Sequence, residues 1–225
     1  MSYRIIVIGI VGLLAGPLLS APAGAEPASV MCQGRPVTRV GTAGNNVIVG
    51  TARPDVISGL GGNDVIKGLS GRDVICGDGG NDKIYGARRS DRISGGRGDD
   101  LLNGGPRLDV LRGGEGDDTV RGRNGSDRVT GGNGIDFVGG GNGSDVLGGG
   151  ARNDRVEGYA GDDHLYGSTG NDALVGGPGA DVMLGGLGDD RLNGLDGAPT
   201  DTLRGGAGRA DVCVGNRGDK KIRCP

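Results

Sequence analysis

The chain has 225 residues, of which 54 are glycine, one is phenylalanine, four are tyrosine and none is tryptophan. That composition excludes an ordinary globular interior, which rests on large apolar side chains whose burial removes apolar area from water. A formal net charge of −3, from 28 acids and 25 bases, says little about partners, so the arrangement of those charges along the chain has to be read instead. Abundant glycine without a Gly-X-Y triplet leaves a flexible polymer or a repeat fold in which glycine serves backbone geometry.

Residues 1–25 read as a secretory leader: Arg4 near the amino terminus, an apolar run from Ile5 to Leu19, and Ala23-Gly24-Ala25 as a small-residue cleavage site. The run is short for a membrane span, and Pro17 and Pro22 fall near its end. The mature chain is therefore expected to begin near Glu26, to lack a membrane span and to be extracellular. An oxidising compartment favours disulfides for Cys32, Cys76, Cys213 and Cys224, and no CxxC pair supports the rival four-cysteine zinc site.

Residues 26–40 form an N-terminal cap segment. The outward valines Val47, Val56, Val65 and Val74 suggest that this segment, fixed by Cys32, lies over the first coils and covers them.

From residue 41 to 193 the chain repeats with a period of nine. Every ninth residue from Gly41 to Gly185 is glycine, in seventeen consecutive registers, as in Gly59-Leu-Gly-Gly-Asn-Asp64-Val-Ile66-Lys and Gly95-Gly-Arg-Gly-Asp-Asp100-Leu-Leu102-Asn. The eighth position is aliphatic throughout, from Ile48 to Leu192. The sixth is aspartate from the second register onward: Asp55, Asp64, Asp73, Asp82, Asp91, Asp100, Asp109, Asp118, Asp127, Asp136, Asp145, Asp154, Asp163, Asp172, Asp181 and Asp190. Six turn formers followed by three strand formers predict a turn and a very short β-strand per repeat. Strand side chains alternate faces, so the eighth residue points inward and the seventh and ninth outward. One aliphatic side chain per nine residues is too little to offset backbone ordering. Glycine at the first, second and fourth positions permits positive φ, which lets carbonyls curl toward the sixth-position carboxylate and form a hard, anionic, all-oxygen pocket suited to Ca2+.

These repeats resemble the glycine-rich nonapeptide G-G-x-G-x-D-x-U-x, the RTX or haemolysin-type calcium-binding repeat, over nearly all of residues 41–223. With the leader and the cysteine-closed tail they are similar, more narrowly, to secreted actinobacterial calcium-binding repeat proteins. The resemblance implies an all-β fold, a right-handed parallel β-roll or β-solenoid with two repeats per coil. It also implies several calcium ions, each held by the carbonyls of one turn and by aspartates of that turn and of the turn two repeats away. About nine coils at about 4.8 Å per strand predict a rod about 40 Å long. Like charges stacked in two columns repel unless a cation lies between them, so the metal-free chain is expected to be largely disordered.

Both ends of the array are expected to lose the ligand, to Asn46 at the start and to Lys220 in the register of Gly215. Residues 194–225 read as irregular repeats and a cap, with insertions before Asp201 and Asp211 that make both doubtful ligands. Cys32–Cys76 and Cys213–Cys224 are the expected disulfides; three pairings are formally possible, and only the distance between the ends of a rod excludes the others. Arg53, Arg89, Arg107 and Arg152 stand at the fourth position, where their guanidinium groups either replace a calcium ion or project into solvent.

No histidine-based dyad can be assembled around His164, the only histidine, and no HExxH or P-loop occurs. Pairs such as Asp99-Asp100 recur as turn chemistry, so no catalysis is expected. With few aromatics beside the bases, nucleic acid is not an expected partner. The expected role is a structural or adhesive extracellular module facing a cell-surface or extracellular polymer, or alternatively a non-catalytic accessory to secreted hydrolases or polysaccharide-modifying enzymes.

Overall fold

The computed structural model describes residues 30–196 and 200–224. The leader read over residues 1–25 lies outside them. Most central repeats give one parallel strand of six residues, as in Val65–Ser70, Lys83–Arg88 and Leu101–Pro106, while Ala173–Val175 has three. Strands pair one coil apart at a spacing of 18 residues, Leu102 opposite Val120 and Leu111 opposite Val129. Alternate strands fall into two sheets. A ten-stranded sheet runs from Val47–Val49 to Val212–Gly215, and an eleven-stranded sheet from Arg39–Val40 to Lys220–Ile222. The molecule is thus an all-strand parallel β-roll.

The strands are longer than the three residues expected, because the glycines opening the next repeat stay on the ladder; Gly105 and Arg123 still pair as neighbours. The coils are also more numerous. Despite the insertions before Asp201 and Asp211, pairing resumes with Val182 opposite Thr202 and Arg191 opposite Val212. Between the sheets runs one ladder of eighth-position side chains, from Ile57 through Leu111, Val138 and Leu174 to Leu203, all buried.

The N-terminal segment forms a small antiparallel hairpin, Met31–Cys32 against Arg35–Pro36, joined to the roll by the Cys32–Cys76 disulfide. Cys32, Val74 and Cys76 are buried together, with Val37 and Val56 packed against them. The segment therefore covers two of the four outward valines. Val47 stays 74% exposed, because Val47 and Val65 belong to the other sheet, whose outer face a segment tethered at Cys76 cannot reach. Cys213–Cys224 closes the far end. Among the described residues no helix is long and apolar enough to cross a membrane.

Candidate metal centre

The sixth-position aspartates precede each strand, and all sixteen from Asp55 to Asp190 are buried. Each column is a hydrogen-bonded ladder. Oδ1 of one aspartate accepts the backbone N–H of the aspartate one coil earlier: Asp73 from Asp55 at 2.9 Å, Asp100 from Asp82 at 2.8 Å, Asp127 from Asp109 at 2.7 Å. The other oxygen has no such partner. From Asp64 to Asp190, and at Asp201, Oδ2 is buried without any hydrogen bond. An unpartnered buried carboxylate oxygen is costly when charged. Burial accordingly pushes these carboxyls up, although the amide each accepts pulls the other way: Asp64 to about 6, Asp91 and Asp118 to about 7, and Asp109 to about 8. The charges of column neighbours, Asp127 and Asp91 in the case of Asp109, add to the rise.

The glycines divide into two physical classes. At the second and fourth positions φ is positive, as at Gly96 (123°) and Gly98 (109°). A Cβ built there would lie 2.2 and 2.4 Å from the carbonyl oxygens of Asp78 and Gly80 one coil below, so turn carbonyls point along the rod toward the next coil. First-position glycines are required for another reason: Gly77, Gly95 and Gly113 do not have positive φ. A Cβ on them would come within 2.1, 2.1 and 2.2 Å of Oδ2 of Asp82, Asp100 and Asp118. The missing side chain makes the space into which each carboxylate folds.

The donor set is hard and anionic: one unpartnered carboxylate oxygen per turn, with backbone carbonyls stacked along the same edge. It suits a cation that accepts many oxygen ligands at flexible geometry, as calcium does. Among the described residues no three His, Cys, Asp or Glu side chains are grouped to hold a metal. An ion on these columns must therefore draw on backbone oxygen as well as carboxylate.

The ends depart from the pattern in two ways. At the start, Asn46 Oδ1 accepts the Thr42 N–H, leaving no charge to neutralise. Asp55 Oδ2 accepts the amide and hydroxyl of Thr51, while Oδ1 faces Arg39 at 3.3 Å. At the far end the expected loss of aspartate is overturned. Lys220 pairs with Thr202 at a strand's first position, and Asp219 takes the ladder place, its Oδ1 accepting the Asp201 N–H. The last turn is one residue shorter than the nonapeptide count assumes. Asp201 and Asp211, doubtful by spacing, continue the columns by accepting from Asp181 and Asp190.

Arg89, Arg107 and Arg152 sit at positive φ, between 76° and 90°, but Arg53 does not. All four are exposed, and among the described residues none forms an ion pair with an aspartate. The solvent-facing alternative holds, and replacement of calcium by these guanidinium groups is not what the geometry shows. In Asp99-Asp100 and Asp117-Asp118 the second carboxylate turns inward, while the first stays outside and accepts the N–H of the residue one coil later. Adjacent acids thus face opposite ways and do not meet as a catalytic pair. Sequence reasoning missed this exterior ladder, whose signal was the run Asn45, Asn63, Asn81, Asp99, Asp117 at the fifth position.

Two parallel sheets around a thin aliphatic ladder, edged by columns of buried carboxylates, define a parallel β-roll. A family model described as the RTX calcium-binding nonapeptide repeat (4 copies) matches residues 40–75, 77–106, 107–138, 139–174 and 166–200. The chain belongs to the RTX calcium-binding nonapeptide repeat family. A comparison with curated proteins finds no match.

Proposed function

We propose that this is a secreted, non-catalytic protein whose roll folds on binding several calcium ions, and that it serves as a structural or adhesive module outside the cell. The observation that carries the reading is the column of unpartnered Oδ2 atoms, repeated coil after coil where no protein group can satisfy them. Asp64, Asp73, Asp82, Asp91, Asp100, Asp109, Asp118, Asp127, Asp136, Asp145, Asp154, Asp163, Asp172, Asp181 and Asp190 would hold the ions, with Asp201 added and Asp55 set aside because Arg39 and Thr51 already engage it. Bound calcium supplies the positive charge that lets neighbouring carboxylates stay ionised in a buried column.

The protein's own residues do the rest. Glycine at the first position clears the space, the positive-φ positions aim the carbonyls, and the Oδ1 ladder holds each carboxylate in register. The two disulfides support an oxidising, extracellular setting, where calcium at the level of weak extracellular sites suffices. Circular dichroism of the purified chain during a calcium titration tests the reading. A β-signal should grow with calcium and not with magnesium; full β-structure in chelator, with no ions taken up, would overturn it.

A further inference from the structure

The outer face of the ten-stranded sheet carries a hollow that the calcium columns do not use. The strand Phe137–Asn142 has glycine at both Gly139 and Gly141; Gly139 is buried beneath neighbouring side chains, whereas Gly141 leaves the strand open between two neighbours that carry large side chains. One neighbour, Thr119–Asn124, raises Arg121 and Arg123; the other, Arg155–Ala160, raises Glu157 and Tyr159. The result is a trough one strand wide, with a volume of about 400 Å³.

Its walls are specific. A Cβ on Gly139 would stand 3.4 Å from both the Phe137 and the Tyr159 rings, so two aromatic side chains flank the gap. The Arg121 guanidinium lies over the Phe137 ring at 5.2 Å from its centroid. Tyr159 donates to Glu157, which is itself paired with Arg155. With the Asn103 amide oriented to accept, Arg123 donates to it from Nε and Nη2 at 2.9 and 3.0 Å. Among the described residues neither Arg121 nor Arg123 is paired with a carboxylate.

Positive φ at the second position is met by glycine and non-glycine residues alike, in this sheet by Leu69, Ala87, Arg123 and Tyr159 as well as by Gly141. Of the four aromatic residues in the described chain, Tyr159 lines this trough and Phe137 stands beside it under Arg121.

We propose that the trough binds an acidic sugar unit of an extracellular polysaccharide. A pyranose ring lies beside Gly141 with its C–H face against Tyr159, and its carboxylate is met by the guanidinium groups of Arg121 and Arg123. The face is mixed aromatic and cationic, which fits a uronate better than a neutral sugar or a bare anion.

Calorimetry on the calcium-loaded full chain, with a hexamer of galacturonic acid and with maltohexaose, tests the proposal. The uronate hexamer should bind and maltohexaose should bind at least tenfold more weakly. Tyr159→Gly relieves the strained φ, and Gly139→Val fills the lane at an outward strand position; each should weaken uronate binding at least tenfold while calcium-dependent circular dichroism is unchanged. Arg112→Ala, on the outer face of the opposite sheet, should leave affinity as it was. Failure of the unaltered chain to bind, full affinity in either trough variant, equal binding of maltohexaose, or an equal loss in Arg112→Ala would each overturn it.

Discussion

Asp55 and Asp109 stand on the same edge of the roll, at the same place in the repeat, yet the protein treats them differently. Asp55 begins its column, and Arg39 and Thr51 engage its oxygens. Asp109 lies three coils in, where both flanking positions are aspartate turns; its Oδ2 has no partner and its carboxyl is pushed up to about 8. An end has an exposed side from which the chain can supply a counter-charge, whereas an interior coil has neighbours identical to itself. Repetition builds the roll cheaply in sequence terms and also creates a charge problem that repetition cannot solve.

Removal of calcium should expose that difference most strongly. In chelator the interior coils should lose their β-signal, while hydrogen exchange at the disulfide-tied residues 32–76 should retain the most residual protection of any segment. Uniform protection along the chain would break the comparison.

Acidification should act next, and its sign differs with and without the ion. Without metal, burial raises the interior carboxyls above the ordinary 3.8, to about 6 at Asp64 and about 8 at Asp109. Their contribution to stability is fully present below about pH 4 and is lost as pH rises through those values. Metal-free chain should therefore show more β-structure near pH 4 than near pH 8. With calcium present, protons compete for the same oxygens, so the calcium midpoint should rise as pH falls. A midpoint independent of pH would count against carboxylate ligation.

Asp109→Asn and Asp55→Asn sharpen the contrast at single residues. The first should reduce the number of ions bound, measured by calorimetry, whereas the second should leave that number unchanged and cost about 1 kcal/mol through the loss of the charged partner of the part-exposed Arg39. An effect of similar size and opposite sign is expected at Arg107→Gly, which relieves a φ of 90° and should stabilise the loaded roll by about 1 kcal/mol without adding an ion.

The eighth-position ladder and the inward aspartates were legible in the sequence because strand alternation and a nine-residue period act locally. The Cys32–Cys76 and Cys213–Cys224 partners were legible too, since cysteines at opposite ends of a rod cannot meet. Lys220 misled because counting by nine cannot detect a turn one residue short; only the pairing of Lys220 with Thr202 places Asp219 on the column.

Sequence alone thus determined the period, the alternation and the identity of the charged columns, which depend on residues near one another in the chain. Tertiary structure alone decided why Gly113 must be glycine, since Asp118 Oδ2 occupies the volume its Cβ would need, and why Gly139 stands between two rings. It also decided that one sheet's valines are covered and the other's are not. Those facts depend on stacking, where residues 18 positions apart become neighbours and a single tether chooses one face of the rod.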